Sequence, residues 1–225
     1  MIYYSVIMAN YLYPRGRIAI FAKAPIAGTV KTRMTPALRP SECAELQSKL
    51  IARSVKTTTQ SQLAPVQLWC APSIQHPAFS QHPVELKQQQ GACLGQRMQQ
   101  AFEDNHKYDF TILIGTDCPL LSIADLSAAA QALQANDVCI GPAHDGGYVL
   151  IASREMPKCF ENIRWGSDKV LSQSLSALSE AQQSVQLLPP LPDLDHPQDL
   201  AALPDNTIQE LKARKLRDIA RNYLG

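Results

Sequence analysis

The sequence predicts an α/β domain built on a mostly parallel β-sheet covered by helices on both faces. Three observations carry that expectation. Short apolar runs rich in β-branched residues alternate with longer amphipathic stretches along the chain. The strongest of those runs are apolar throughout, as in strands buried on both sides. No fixed-period repeat and no low-complexity linker divides the 225 residues, so a single domain is expected over residues 17–225, preceded by an extension at residues 1–16.

Arg17 to Ala22 reads as a first buried strand, and Ala24-Pro25-Ile26-Ala27-Gly28 as the loop it enters. From Glu42 to about Gln60, Cys43, Leu46, Leu50 and Ile51 recur at helical steps behind Pro40-Ser41, which predicts an amphipathic helix. Val66 to Cys70 is a second strand, and Ala71 to Pro83, with three prolines, is irregular. Leu94 to Asn105 is helical, with Leu94, Met98, Ala101 and Phe102 on one face. Phe110 to Gly115 is the most strand-like run in the chain, and Ser122-Ile123-Ala124-Asp125 fits a capping box that opens a helix to about Ala135. Val138 to Gly141 and Tyr148 to Ala152 are strands joined by a tight turn at His144 to Gly147. A helix over Asp168 to Leu178, a strand over Val185 to Leu188 and a basic helix over Ile208 to Tyr223 complete the expected order.

Composition narrows the function. With 45% hydrophobic and 18% charged residues, a chain of this length buries roughly 70% of the surface it exposes when unfolded, so its core needs neither disulfides nor a structural metal. The formal net charge of +1 supplies no global field for a polyanion, and no basic patch precedes the last helix, so nucleic acid is not an expected partner. The six cysteines stand 20 to 27 residues apart without a C-x-x-C pair, which excludes zinc ribbons and thioredoxin-like chemistry and suits a reducing cytoplasm. Met1 to Tyr13 is apolar but lacks a basic leader and a cleavage site and is too short for a bilayer. It is read as lying outside the fold, with Met8 as an alternative start, and no other stretch is long enough to span a membrane.

In parallel sheets, ligands sit beyond the carboxyl ends of the strands, and four polar clusters fall there. Lys23 to Arg33 combines a glycine with Lys23, Lys31 and Arg33; it lacks the spacing of a Walker A loop, so it is either a phosphate loop of another kind or a basic turn. Asp117, in Gly115-Thr116-Asp117-Cys118-Pro119, is either a ligand for a hard cation such as Mg²⁺ or the cap of a turn. Gly141 to Tyr148 holds Asp145 beside two glycines, either a site of close backbone approach or a plain hairpin. The run Asp193-Leu194-Asp195-His196-Pro197-Gln198-Asp199 places three acids ahead of a helix, of which a cap accounts for one.

Together the segments FAKAPIAGTVKTRMTPAL, LGQRMQQAF, LIGTDCPLLS, GPAHDGGYVLI, IRWGSDKVL and LPDLDHPQDL resemble the radical-SAM/selenodomain-associated transferase 1 family, within the GT-A type nucleotide-diphospho-sugar transferase superfamily. The resemblance covers roughly Arg17 to Leu203. It implies a Rossmann-like three-layer α/β/α sandwich binding a nucleotide at its strand ends, with Mg²⁺ or Mn²⁺. By the same resemblance, Asp117 and Asp195 match two metal-holding aspartates of distant members. Lys23, Gly28, Lys31, Thr32 and Arg33 match the loop that faces the donor phosphates, and Asp145, Gly146, Gly147, Tyr148 and Trp165 fall on the acceptor side. The segment Trp165-Gly166-Ser167-Asp168-Lys169-Val170 departs from the W-S-T-P-x-V of the family.

Two reactions suit this set. Nucleotidyl transfer needs cations on a triphosphate and a metal at the α-phosphate; glycosyl transfer needs the metal on a diphosphate leaving group and often a carboxylate near the acceptor hydroxyl. Lys31 and Arg33, set so close behind the first strand, favour the triphosphate, with Lys31, Arg33, Asp117 and Asp145 as the catalytic set. The alternatives are a glycosyltransferase and a nucleotide-binding module without catalysis.

Overall fold

A computed structural model describes residues 11–35, 37–103 and 105–211 of the chain. Seven strands form one sheet: β1 (Gly16–Lys23), β2 (Val66–Ala71), β3 (Glu85–Gln88), β4 (Phe110–Gly115), β5 (Val138–Pro142), β6 (Tyr148–Ser153) and β7 (Val185–Leu187), in the spatial order β3-β2-β1-β4-β6-β5-β7. All neighbouring pairs are parallel except the two made by β6, which runs antiparallel to both β4 and β5. The expected mostly parallel sheet is present. β1 is an interior strand, buried at every residue but the last, and it pairs on both sides in register, Ile20 opposite Leu68 of β2 and Ile114 of β4.

Helices α1 (Pro40–Gln60), α2 (Pro77–Ser80), α3 (Leu94–Glu103), α4 (Ile123–Ala132), α5 (Val170–Glu180) and α6 (Asp205–Glu210) join the strands. The alternation of side chains along β1 separates two cores. Ile18, Ile20 and Ala22 pack with Ile51 and Val55 of α1 and Leu126 and Ala129 of α4. Ala19 and Phe21 point the other way, to Met98, Ala101 and Phe102 of α3 and Leu178 of α5. This is the three-layer α/β/α arrangement.

α1 is covered on its outer side too. Cys43, Leu46 and Leu50 meet Met34 and Leu38 from the loop after β1, and Leu194, Leu200, Leu203, Ile208 and Leu211 from the end of the described chain. This third core ties the C-terminal acidic run to the first loop.

Most expected elements are found, and their ends explain the differences. The S-x-x-D box works as read, with Asp125 N–H donating to Ser122 Oγ and Ser122 N–H to Asp125 Oδ2 at 2.8 Å, although α4 closes at Ala132. The stretch after β2 is not wholly irregular, since it contains α2, and it leads into β3, an edge strand that the sequence analysis does not identify. The boundary drawn at residue 17 falls inside β1, and residues 11–16 are part of the fold: Leu12 and Tyr13 donate to Gln62 and Leu63 carbonyls, and the Tyr13 ring stands edge-on to Phe110 at 5.2 Å. Residues 1–10 and most of the basic tail helix, including Lys212, Arg214, Lys215, Arg217 and Arg221, lie outside the described residues. No helix among the described residues is long and apolar enough to cross a membrane.

Leu194 is fully buried in the third core between two acids. Leu194→Ala is expected to cost about 2–5 kcal/mol and to release the acidic run from α1; a chemical-denaturation midpoint equal to wild type would refute this anchoring role.

Candidate active site

The chain turns from building the sheet on one side of β1 to building it on the other, at the β1/β4 boundary. Loops leaving two adjacent strands at such a switch point diverge and leave a crevice. A cleft of about 580 Å³ opens there, above the carboxyl ends of β1 and β4.

Its floor is made by the loop after β1. Lys23 closes the loop on itself through Nζ to the Thr29 carbonyl at 2.7 Å, and Gly28 makes its turn at φ +82°. Lys31 follows in the left-handed region at φ +49°, a conformation that costs a non-glycine residue roughly 1–3 kcal/mol unless its surroundings compensate. The compensation is at the end of the side chain. Lys31 Nζ lies 2.5 Å from Asp117 Oδ1, 3.2 Å from Asp195 Oδ1 and 2.7 Å from the Leu194 carbonyl, and the side chain is only 3% exposed. Arg33 adds a bond from Nη1 to Asp195 Oδ2 at 3.0 Å.

The two aspartates are therefore brought together, from positions far apart in sequence. Asp117 rides on the end of β4, where the buried Thr116 beside it is held by Gln47 of α1 at 3.1 Å. Its carbonyl accepts from Leu194 N–H at 2.8 Å, which docks the C-terminal segment directly over β4. Of the three acids in that segment, Asp199 is the cap: its Oδ2 accepts from the backbone N–H of Asp195 and of His196, at 2.9 and 2.6 Å. Asp193 and Asp195 are left to face the cleft.

The opposite wall is the β5–β6 turn. Asp145 Oδ1 accepts from Gly147 N–H at 2.8 Å. Gly146, at φ +89°, lies so close to Asp168 that a Cβ there would stand 2.2 Å from the Asp168 carbonyl oxygen; its own carbonyl accepts from Leu171 N–H at 2.9 Å. The turn and the Trp165–Asp168 loop are thus locked together. Trp165 stands edge-on to Tyr148, with centroids 6.4 Å apart, and packs against Gly95 of α3, where a Cβ would meet the indole Nε1 at 2.6 Å. The Tyr148 hydroxyl is buried towards Ser174, so it is the ring that borders the cleft.

Of the residues singled out from sequence, Lys23, Lys31, Thr32, Arg33, Asp117, Asp145, Gly147, Tyr148, Trp165 and Asp195 line this one cleft. Gly28 and Gly146 shape its loops from outside the lining, and His144 is exposed and apart. Sequence reasoning missed Gln47, Gln89, Leu94, Arg97 and Met98, which also line it. They lie on helices or just after an edge strand, where only packing reveals which face meets the cleft.

Among the described residues, charge in the lining balances: Lys23, Lys31, Arg33 and Arg97 stand against Asp117, Asp145, Asp193 and Asp195. Burial alone would lower the Lys31 pKa, but the charges of Asp117 and Asp195 and the hydrogen bonds to both outweigh it, so the ammonium is held above its ordinary value. Asp193 goes the other way. Burial first, then the charge of Asp145 and those of Asp195 and Asp199, push its carboxyl up.

Among the described residues no group of three His, Cys, Asp or Glu side chains could hold a metal ion. Asp117 and Asp195 nevertheless fit a hard cation that takes part of its shell from substrate. Both are oxygen donors, their side chains are 51% and 30% exposed, and both already converge on one positive charge.

The family described as "Uncharacterized protein conserved in bacteria (DUF2064)" matches residues 54–167. No curated protein sequence matches the chain. Among solved structures, a candidate nucleotide-diphospho-sugar transferase from Desulfovibrio desulfuricans G20 is 27% identical with a TM-score of 0.84, over 93% of this chain and 98% of its own. A nucleotidyl transferase from Methanothermobacter thermautotroptrophicus aligns at 15% identity and a TM-score of 0.59, over 87% and 98% of the two chains. A CMP:2-keto-3-deoxy-manno-octonic acid synthetase complexed with CTP aligns at 13% and 0.52, over 87% and 99%. At those identities the last two share the fold.

Asp193→Asn removes an acid whose charged form the fold disfavours. Because its folded pKa lies above the ordinary 3.8, the penalty is absent below that pH and grows as the pH rises through the folded value. Thermal unfolding should find the variant more stable than wild type near pH 7, with the gap closed at about pH 3; an equal Tm at neutral pH would contradict the repulsion described here.

Proposed function

The chain belongs to the family DUF2064, and we propose that it is a metal-dependent transferase that takes a nucleotide or nucleotide-sugar donor, with nucleotidyl transfer as its reaction. The observation that carries this reading is the convergence of Lys31, Arg33, Asp117 and Asp195 at the β1/β4 switch point. Further support comes from the candidate nucleotide-diphospho-sugar transferase that matches along nearly the whole chain, and from the nucleotidyl transferase and the CTP-bound synthetase that share its fold. The finer resemblance to the radical-SAM/selenodomain-associated transferase 1 family is part of the same proposal.

In this reading Lys31, Arg33 and Lys23 hold the donor phosphates, and backbone around Thr32 approaches them closely. Asp117 and Asp195 would hold Mg²⁺ or Mn²⁺, which supplies charge neutralisation at the phosphate under attack. An acceptor oxygen bonds to the α-phosphorus, the bond from that phosphorus to the bridging oxygen breaks, and pyrophosphate leaves with the bonding pair. In the same reading Asp145 takes the acceptor's proton. Tyr148, Trp165 and the Gly146-Gly147 turn form the acceptor wall, made rigid by the lock between the turn and the 165–168 loop. Rate enhancement then rests on positioning and charge, with no covalent enzyme intermediate. The scattered buried thiols suit a cytoplasmic setting.

Glycosyl transfer is the second reading. The description of the Desulfovibrio protein favours it, since the same metal pair would then sit on a diphosphate leaving group.

A thermal-shift panel separates the possibilities. Stabilisation by nucleoside triphosphates with Mg²⁺ is the expected result; stabilisation by nucleotide sugars alone would replace nucleotidyl with glycosyl transfer, and no shift from either would overturn the transferase. Asp117→Asn is expected to keep the fold, by far-UV circular dichroism, while abolishing Mg²⁺-dependent turnover. Wild-type rates in that variant would remove the metal role of Asp117.

A further inference from the structure

A lysine meant only to grip a phosphate should reach into solvent. Lys31 does not. Its ammonium has three donors, and all three are taken inside the protein, by Asp117 Oδ1 at 2.5 Å, Leu194 O at 2.7 Å and Asp195 Oδ1 at 3.2 Å. It occupies the point on which the two carboxylates converge, and a divalent ion shared by those carboxylates needs the same point. Two cations cannot stay there together, because charges at such separations repel strongly in a partly buried site.

The rest of the cleft gives neither partner an advantage on its own. Among the described residues, four cations and four carboxylates in the lining cancel, so a divalent ion entering by itself must evict an ammonium from carboxylates to which it is already well bonded. The evicted ammonium would then be left in the cleft beside Arg33, without the two carboxylates that had neutralised it. A polyphosphate entering by itself must draw the ammonium off and leave two carboxylates facing its own charge. Only both together satisfy every group: the ion takes the carboxylates and the phosphates take the lysine. Lys31 is on a loop, immediately before the short 3₁₀ turn Thr32–Met34, so its side chain can turn without disturbing the sheet.

We propose that Lys31 is a resident counter-cation, which keeps divalent metal off the Asp117–Asp195 pair until a polyphosphate donor draws the ammonium away. The inference rests on the reading that this pair holds the metal. It adds an order to binding: metal and donor enter as one complex, each raising the affinity of the other.

The test is a titration of the full chain with Mn²⁺ alone, without any nucleotide, following the electron paramagnetic resonance signal of free Mn²⁺. Lys31→Met is expected to bind Mn²⁺ on the order of tenfold tighter than wild type, because a competing charge is gone. Lys31→Arg should bind no tighter than wild type, and Lys31→Met combined with Asp117→Asn should lose the gain. If wild type and Lys31→Met bind Mn²⁺ equally well and Asp117→Asn weakens both, the counter-cation role is overturned while the metal pair stands. If no variant binds Mn²⁺ and Asp117→Asn changes nothing, the metal pair falls as well. Should Lys31→Met not fold, the wild-type chain decides: the thermal shift from Mn²⁺ and inorganic triphosphate together must exceed the sum of their separate shifts, and additive shifts overturn the proposal.

Discussion

One buried ammonium holds the site in shape. Lys31 links the first loop of the chain to the end of β4 and to a segment 164 residues away, and it does so from a strained backbone conformation. Placing a charge where only 3% of the side chain is exposed is costly unless every donor is satisfied and opposite charge is adjacent. Both conditions are met, and neither carboxylate could be removed without leaving the other groups poorly matched. The arrangement therefore specifies a position more than it supplies stability.

The scaffold makes that position available. β1 carries partners on both sides, and the crevice opens above its carboxyl end and that of β4, where the strand order switches. The third core then folds the C-terminal segment back across α1. Leu194 does this with its side chain, its N–H to Asp117 and its carbonyl to Lys31. A single residue thus converts hydrophobic burial into the placement of the acids on either side of it.

Much of this was legible in the sequence, and the reasons divide cleanly. Phe110 to Gly115 was readable because buried central strands are apolar throughout, and the Ser122–Asp125 box because capping is local chemistry. The expectation that a cap would absorb one of the three late acids was met by Asp199. β3 was not legible: Glu-Leu-Lys-Gln has no β-branched residue, and it is a strand only because Gln67 to Cys70 offers it an edge. The partners of Lys31 were not legible either. Its residue type suggested a phosphate, whereas its actual neighbours are set by long-range packing of segments no local pattern connects. Arg97 and Met98 were hidden for a related reason, since a helix sequence gives its apolar face but not what lies beyond its end.

Electrical neutrality of the lining shapes how such a cleft selects its ligands. A net positive cleft would attract any polyanion, and a net negative one any cation. Here Lys31 and Arg33 are already paired with Asp117 and Asp195, so a ligand that separates these groups gains only by offering each a partner at least as good. Asp193 has no such partner: burial first, and then the charges of Asp145, Asp195 and Asp199, disfavour its ionised form. In the proposed order of binding, the saturation of Lys31 resists a metal that arrives alone, and a polyphosphate tips the balance by offering the lysine other partners.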